Sequence, residues 1–349
     1  MLKENPNKLY LNFSNTPDPS TIGFIDKHNP NFEMIVDDIS RILIRSEIEK
    51  SFQSFWERKV NDKYFNERKN AHKQLIQSYV LKQYMYEIDK IGKLFSKTTF
   101  DCKDGIYPLN ELTQNVSKYF NPIFFDRALC TKIKTTQPME GPGENFLWTI
   151  FSNLDFAQGK GDLVDTLNNY KIEVKADSGS LGSNTSGRDW SSTTSKSLCE
   201  ILSPYISEPE RKYLMGASSF GPKTASCIET AMKCDLPDNV IEKICLTVSN
   251  YNDVPQYDIK SFIDLIKQKN DQKSITKLVI AMHMKLYATD ENFDKLFIFN
   301  GGAERSINKL VVMTAKQDMH LLLDEIEKYN ICQKGWGAGK KGIRIIANV

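Results

Sequence analysis

Two carboxylates and an ammonium group lie close together in one short segment of the chain. Asp162 precedes a run of strand-forming residues, and Glu173 and Lys175 occupy alternate positions in a second such run. Asn168 and Asn169 stand between the two runs and predict a two-residue hairpin turn, because asparagine tolerates the left-handed conformation that such turns need. Side chains alternate along a strand, so we expect the three charged groups on one face of the hairpin.

A two-residue turn also predicts which residues face each other. It places Asp162 opposite Lys175 and Val164 opposite Glu173. The other face of this hairpin is apolar except for one carboxylate, with Leu163, Leu167, Tyr170, Ile172, Val174 and Asp165. The pattern therefore predicts one face directed to a core and one face that gathers two acids and an amine.

Two carboxylates within reach of one point suit a hard divalent cation. Mg²⁺ takes oxygen ligands, typically one or two carboxylates, and keeps its other positions for water and phosphate. Asp162 and Glu173 are the candidate metal ligands, the backbone carbonyl of Val174 is a candidate third, and Mn²⁺ is expected to substitute. Lys175 could orient an attacking water or stabilise charge on a phosphate. These parts indicate a phosphodiester hydrolase, although Asp–Lys and Lys–Glu pairs also occur on solvated sheet faces.

A predicted helix leads into this hairpin. Glu144 follows Gly141-Pro142-Gly143, and apolar residues then recur with helical spacing at Phe146, Leu147, Ile150, Phe151 and Leu154. Glu144 is therefore expected in the first turn of the helix. Gly159 and Gly161 flank Lys160 just before Asp162, so backbone can approach a ligand there without obstruction by side chains.

A helix with Glu, a strand with Asp and a strand with Glu-x-Lys, in that order, resemble the PD-(D/E)xK nuclease superfamily, which has the restriction-endonuclease-like fold. The stretches Gly-Pro-Gly-Glu, Gly-Lys-Gly-Asp and Ile-Glu-Val-Lys-Ala are similar to versions found in tailed-phage genomes, and the resemblance covers residues 140–182. It implies that Asp162 and Glu173 bind the metal and that Lys175 assists the nucleophile. Glu144 would match a helical glutamate that serves as an extra metal or water ligand. Glycine precedes the aspartate where the family name has proline.

Basic residues near the motif are the candidate DNA contacts, namely Lys160, Arg188, Lys340 and Lys341. Residues 45–82 also interleave lysine and arginine with aromatic residues. Such a mixture could line a DNA backbone. Alternatively, it is a helical surface whose aromatic side chains face the core, and we prefer this second interpretation.

The pattern along the chain predicts an α/β (α+β) fold, with a mixed β-sheet of restriction-endonuclease-like type flanked by helices. The strands near the C-terminus are expected to complete the sheet that the hairpin begins. We divide the chain into an irregular arm (1–31), a helical N-terminal region (32–135), the first half of a nuclease core with the hairpin (136–195), a helical insertion or subdomain (196–292) and the second half of the core (293–349).

Composition sets the outer limits of the functional interpretation. The chain has 349 residues, 40% of them hydrophobic and 26% charged, as in an ordinary globular protein. No run of eighteen apolar residues occurs, so we expect no membrane span. The N-terminus has no apolar signal region, and the seven cysteines form no Cys-x-x-Cys pair, so we expect a cytoplasmic protein, or a virion component if it is phage-encoded. The net charge of +2 leaves nucleic-acid binding open.

The sequence thus predicts a Mg²⁺-dependent nuclease that acts on DNA. Two alternatives stay open. One is a non-catalytic phage structural or DNA-packaging protein that retains a nuclease-like fold, with other virion components or copies of itself as partners. The other is an RNA-directed nuclease, because nothing in the chain selects against a 2′-hydroxyl.

Overall fold

The structure is a computed structural model. It describes residues 8–12, 22–26, 30, 44–59, 63–130, 140–176, 179–181, 192–216, 230, 233–249, 260–261, 263–264, 267–268, 272–301, 307–336 and 343–349.

The strands of the described residues form three sheets. In chain order they are β1 Lys8–Asn12, β2 Ile22–Asp26, β3 Gly105–Pro108, β4 Leu154–Phe156, β5 Leu163–Asp165, β6 Tyr170–Lys175, β7 Ser180–Leu181, β8 Lys295–Gly301, β9 Ile307–Thr314, β10 Ile331–Trp336 and β11 Ile343–Ala347. The largest sheet has six strands in the order β3-β9-β8-β6-β5-β4. β6 and β8 are parallel and the other neighbours are antiparallel, so the sheet is mixed. The prediction of a mixed α/β fold is confirmed.

Helices precede, separate and follow these strands. They are α1 Gln53–Glu57, α2 Phe65–Tyr79, α3 Ile88–Lys97, α4 Leu109–Leu112, α5 Gln114–Ser117, α6 Ile123–Cys130, α7 Pro142–Ile150, α8 Ser192–Leu202, α9 Glu208–Gly216, α10 Asp238–Ser249, α11 Gln272–Asp290 and α12 Met319–Lys328. Residues 44–51 are also helical, and 3-10 turns cover Lys82–Glu87 and Ser203–Tyr205.

Central strand β8 shows how the helices cover the large sheet. Its side chains alternate between two cores, as the pleat of a strand requires. Phe297 and Phe299 lie in a core with α2, α3, α6 and α7. Leu296 and Ile298 lie in a second core with α8, α10, α11 and α12. The helical region before the hairpin therefore covers one face of the sheet, and helices of the 196–292 region cover the other.

Two expectations about strands need correction. The strands β8 and β9 join the large sheet as expected, but the last strand, β11, does not: it forms a separate three-stranded sheet with β10 and β7. The reason is that the outer edge of β9 is already paired with β3, a short strand that the sequence pattern did not indicate. The arm 1–31 is also not wholly irregular, because β1 and β2 pair in antiparallel fashion. Both strands have five residues, which is too short for a sustained period among the surrounding polar residues.

Within the described part of the chain, no helix has the length and apolar character needed to cross a membrane.

Candidate active site

The predicted hairpin exists as β5 and β6, but its turn is longer than expected. Asp165 pairs with Tyr170, and Leu163 pairs with Ile172. The turn therefore contains four residues, 166–169, whereas the two asparagines alone would have paired Leu167 with Tyr170. The predicted pairs were wrong by a shift of two residues.

Asp165 is the physical reason for the longer turn. This side chain is fully buried, and its Oδ1 accepts the backbone N–H of Leu167 at 3.0 Å. Its Oδ2 accepts the side-chain amide of Asn168 at 2.7 Å. Its carbonyl accepts the N–H of Asn169, which has the left-handed φ of 58°. An aspartate that bonds the backbone two residues ahead initiates a turn, so the turn begins at Asp165.

A shift of two residues keeps every side chain on its predicted face, because side chains alternate with a period of two. Glu173 and Lys175 therefore share a face of β6, and Asp162, just before β5, is close enough to both for their charges to interact. The paired residues of β5 begin at Leu163, and Asp162 just before them bonds Ile172 and Val174, the residues on either side of Glu173, instead of lying opposite Lys175. The two candidate metal ligands are thus cross-strand neighbours.

Backbone hydrogen bonds hold Asp162 beside β6. Its N–H donates to the carbonyl of Ile172 at 2.9 Å, and its Oδ2 accepts the N–H of Val174 at 2.8 Å. Gly161 precedes it with a φ of 85°, a conformation that side chains other than glycine rarely adopt. One carboxylate oxygen of Asp162 is therefore committed to the strand, and the described residues donate no hydrogen bond to the other, Oδ1.

Glu173 and Lys175 form a three-way contact with Tyr287, which lies on α11. The Oε1 atom of Glu173 accepts hydrogen bonds from the ammonium of Lys175 and from the hydroxyl of Tyr287. Lys175 Nζ also lies 3.2 Å from the Tyr287 hydroxyl oxygen and 5.2 Å from the centre of its ring. Burial alone would lower the pKa of Lys175, but the charge of Glu173, with Tyr287 and Asp162, raises it above its ordinary value. Lys175 is therefore a cation in this site.

Glu144 lies in the first turn of α7, as predicted. Pro142 is at the start of the helix, and the Glu144 carboxylate accepts the N–H of Gly141. Gly143 allows the helix to approach the sheet closely, because a Cβ atom there would lie 2.6 Å from the ring of Phe299 and 3.2 Å from Val174. This close approach brings the buried Glu144 side chain towards β6.

Two basic residues from the N-terminal region fix both ends of α7. Lys59 is fully buried and donates to the carbonyls of Phe151 and Leu154 at 2.8 and 2.5 Å, next to the C-terminal end of the helix. Arg68 is buried and forms an ion pair with Glu140, just before the helix begins. These two residues of the basic–aromatic segment 45–82 thus support the helix that carries Glu144.

The aromatic residues of the same segment lie in the core. Phe52, Phe55 and Trp56 are buried, and Trp56 donates its indole N–H to His72 at 2.9 Å. The expectation that the aromatic side chains of this segment face the core is confirmed, but the expected surface position of its basic side chains is wrong for Lys59 and Arg68, which are buried.

Electrostatics joins the three acids into one cluster. Burial and the charge of Asp162, with a further contribution from Glu173, raise the pKa of Glu144 to about 8. Burial and the charge of Glu173, with a smaller effect of Glu291, raise the pKa of Asp162 to about 7. Each acid is therefore close enough to another to oppose its ionisation. The positive charge of Lys175 lowers the pKa of Glu144 and of Asp162, but both pKa values remain above their ordinary values.

A divalent cation suits this donor set. Asp162 and Glu173 are neighbours with excess negative charge between them, and oxygen is the ligand atom that Mg²⁺ prefers. The described residues include no group of three or more histidine, cysteine, aspartate or glutamate side chains arranged to hold a metal ion. Magnesium sites in proteins use one or two carboxylates, with water and substrate oxygens in the remaining positions.

The other residues predicted for the site have different outcomes. The backbone N–H of Val174 donates to Asp162, and the Val174 side chain lies in the core. Lys160 is exposed on the bend before Asp162. Arg188, Lys340 and Lys341 lie outside the described residues.

Sequence reasoning missed Tyr287 and Glu291. Tyr287 belongs to the apolar stripe of a helix, and the pattern gave no sign that its hydroxyl reaches Glu173. Glu291 follows one helical turn later and lies near Asp162. The one available signal was their spacing of four residues, which puts both on one face of a helix.

Neither a protein-family model, nor a curated protein, nor a solved structure matches this chain.

Proposed function

We propose that the chain is a divalent-metal-dependent nuclease of the PD-(D/E)xK type, with a restriction-endonuclease-like core, and that it hydrolyses phosphodiester bonds in DNA. One observation carries the proposal: Asp162, Glu173, Lys175 and Glu144 come from three separate segments and interact in one cluster whose members are buried or half-buried. Cross-strand ion pairs on a solvated sheet face do not explain this cluster, because the Glu173 side chain is only 5% exposed and two of the acids have raised pKa values.

Asp162 and Glu173 would hold the cation, through the oxygens that the strand and Lys175 leave available, with the carbonyl of Val174 as a third candidate ligand. Mg²⁺, or Mn²⁺ in its place, would supply charge neutralisation on the phosphate and a more acidic water. The raised pKa of Asp162 supports this assignment, since burial and the charge of Glu173 both oppose its ionisation and a bound cation would offset both effects.

Lys175 would act directly on the substrate. Its ammonium lies at the edge of the cluster with its side chain 16% exposed, and its raised pKa keeps it charged across the neutral range. A cation so placed can stabilise the negative charge that develops on a phosphate in the transition state. Lys160, exposed on the bend before Asp162, would contact the phosphate backbone.

Glu144 would handle a proton. Its pKa of about 8 lies near neutrality, where a group can both accept and release a proton efficiently. Its carboxylate is tethered to the Gly141 N–H, which fixes its position at the start of α7. Glu144 is therefore our candidate for the residue that accepts a proton from the attacking water.

The test uses isosteric variants that remove charge but keep shape. Wild type, Asp162→Asn and Glu173→Gln are incubated with linear, circular and single-stranded DNA and with RNA, in Mg²⁺ or Mn²⁺ and with a chelator control. Asp89→Asn is the matched control, because Asp89 is exposed on α3. We expect metal-dependent DNA cleavage by wild type and Asp89→Asn, and loss of cleavage in the two site variants.

The other outcomes are also informative. Full cleavage by Asp162→Asn or Glu173→Gln overturns the assignment of the site. Cleavage of RNA alone assigns the site to an RNA-directed nuclease. No cleavage of any substrate by the folded wild type supports a non-catalytic structural or DNA-packaging role.

A further inference from the structure

Helix α11 presents two polar groups to the acidic cluster. Tyr287 and Glu291 are four residues apart, so they lie on the same face of the helix end, and the N–H of Glu291 donates to the carbonyl of Tyr287. Tyr287 reaches Glu173, and Glu291 lies near Asp162. This helix belongs to the connection between the parallel strands β6 and β8, so it approaches the site from the face of the sheet opposite α7.

The Tyr287 hydroxyl has two partners in the site. It donates to Glu173 Oε1, and Lys175 Nζ lies 3.2 Å from its oxygen. A hydroxyl can donate one hydrogen bond and still accept another, so a single group fits both contacts. The ring of Tyr287 is buried and packs edge-on against Phe293, with 5.4 Å between the ring centres, which fixes where the hydroxyl points.

This arrangement determines which oxygen of Glu173 is available. Tyr287 and Lys175 both bind Oε1, so they hold the carboxylate in one orientation and leave Oε2 for another ligand. They also hold the ammonium of Lys175 beside Glu173, with the face of the aromatic ring beneath it.

We propose that Tyr287 is a positioning residue of the site: it orients Glu173 for cation binding and holds Lys175 next to it. The inference rests on the proposed function, since the cation is the one assigned to Asp162 and Glu173. It adds α11 as a further element that builds the site.

Tyr287→Phe is the sharpest test, because it removes the hydroxyl and keeps the ring below Lys175. Tyr329→Phe is the matched control: Tyr329 is a buried tyrosine in the same hydrophobic core, and it lies outside the acidic cluster. Glu173→Gln serves as the reference for loss of a ligand. Thermal unfolding of all variants shows that they are folded.

The first readout is binding of Mn²⁺, followed by the electron paramagnetic resonance signal of the free ion. We expect Tyr287→Phe to bind Mn²⁺ roughly tenfold more weakly than wild type, the loss typical for a hydrogen bond to a charged group. Tyr329→Phe should bind Mn²⁺ as wild type does. Equal affinity of Tyr287→Phe and wild type overturns the proposal, and so does absence of Mn²⁺ binding by wild type.

The second readout separates ligand positioning from general damage. In a cleavage assay, the Mg²⁺ concentration for half-maximal rate should rise roughly tenfold in Tyr287→Phe, while the rate at saturating Mg²⁺ falls by less. An equal fall in rate at all Mg²⁺ concentrations contradicts a positioning role. If wild type binds Mn²⁺ but cleaves nothing, and Tyr287→Phe weakens that binding, the proposed nuclease function fails and the role of Tyr287 stands.

Discussion

Replacing Asp162 by asparagine should stabilise the chain at pH 8 even as it abolishes cleavage. Asparagine has nearly the same shape, and its side-chain oxygen can still accept the N–H of Val174. The substitution removes the negative charge of Asp162, which burial disfavours and which the charge of Glu173 repels. Sites built from mutually repelling acids commonly sacrifice stability in this way for function.

The pKa of Asp162 gives the magnitude. It rises from the ordinary value of 3.8 to about 7 in the folded chain. At 1.36 kcal/mol per unit this is about 4 kcal/mol of unfavourable ionisation as an upper bound. Because Asp162 is half-buried, water screens part of this energy, and about 1–2 kcal/mol is a realistic gain. For a chain of this size, that corresponds to a rise in Tm of about 2–4 °C.

The sign of the effect depends on pH. A carboxyl whose pKa is raised by folding contributes stability below its unfolded value, and that contribution is lost as the pH rises through the folded value. For Asp162 the loss falls between about pH 4 and pH 7. At pH 5 only part of this stability has been lost, because the side chain is still largely protonated in the folded state, so asparagine offers a smaller advantage there.

Thermal unfolding by circular dichroism, with chelator present, measures the difference. Wild type, Asp162→Asn and the exposed control Asp89→Asn are compared at pH 5 and pH 8. We expect Asp162→Asn to have the higher Tm at pH 8 and to match wild type more closely at pH 5. The reasoning is refuted if Asp162→Asn is the less stable protein at pH 8, or if its difference from wild type is the same at both pH values.

Two further predictions follow from the same geometry. Mn²⁺ should raise the Tm of wild type more at pH 8 than at pH 5, because Asp162 must lose its proton to bind the ion; an equal rise at both pH values in calorimetric scans would contradict this. Gly143→Ala should reduce stability by about 1–3 kcal/mol and reduce cleavage, because its Cβ would meet Phe299 at 2.6 Å and force α7 away from β6. Gly105→Ala is the control in denaturant unfolding, since a Cβ atom at Gly105 would have its nearest contact at 3.4 Å, an ordinary distance. Equal losses of stability in the two variants would refute the idea that Gly143 is needed for the close approach of α7 to β6.

The sequence predicted those features that depend on a residue's position within its own element. Glu144 follows a glycine–proline pair and begins an apolar stripe with helical spacing, and it lies in the first turn of α7. Glu173 and Lys175 occupy alternate positions of β6 and therefore share a face. These relations follow from local geometry, so a pattern in one sequence was sufficient.

Features that depend on distant elements were not predictable from the pattern. The Tyr287 hydroxyl meets Glu173 across 114 positions of sequence, and this contact depends on how α11 is rotated over the sheet. Lys59 and Arg68 belong to a segment whose composition suits a surface, yet both are buried at the ends of α7. A long basic side chain can be buried when carbonyls or a carboxylate satisfy its charge, and nothing in the local sequence announces those partners.

The turn of the hairpin shows why the face was predicted correctly and the pairing was not. Turns of two and four residues both leave Asp162 and Glu173 on one side, since they differ by one full strand period. They differ in what lies opposite Asp162. A two-residue turn would have set it against Lys175, a pair that neutralises itself, whereas in the observed structure Asp162 bonds Ile172 and Val174, the residues on either side of Glu173. Burial and the nearby charge of Glu173 raise the pKa of Asp162, so the two acids repel each other. Asp165, by starting the turn early, therefore makes the acidic pair suitable for a shared cation.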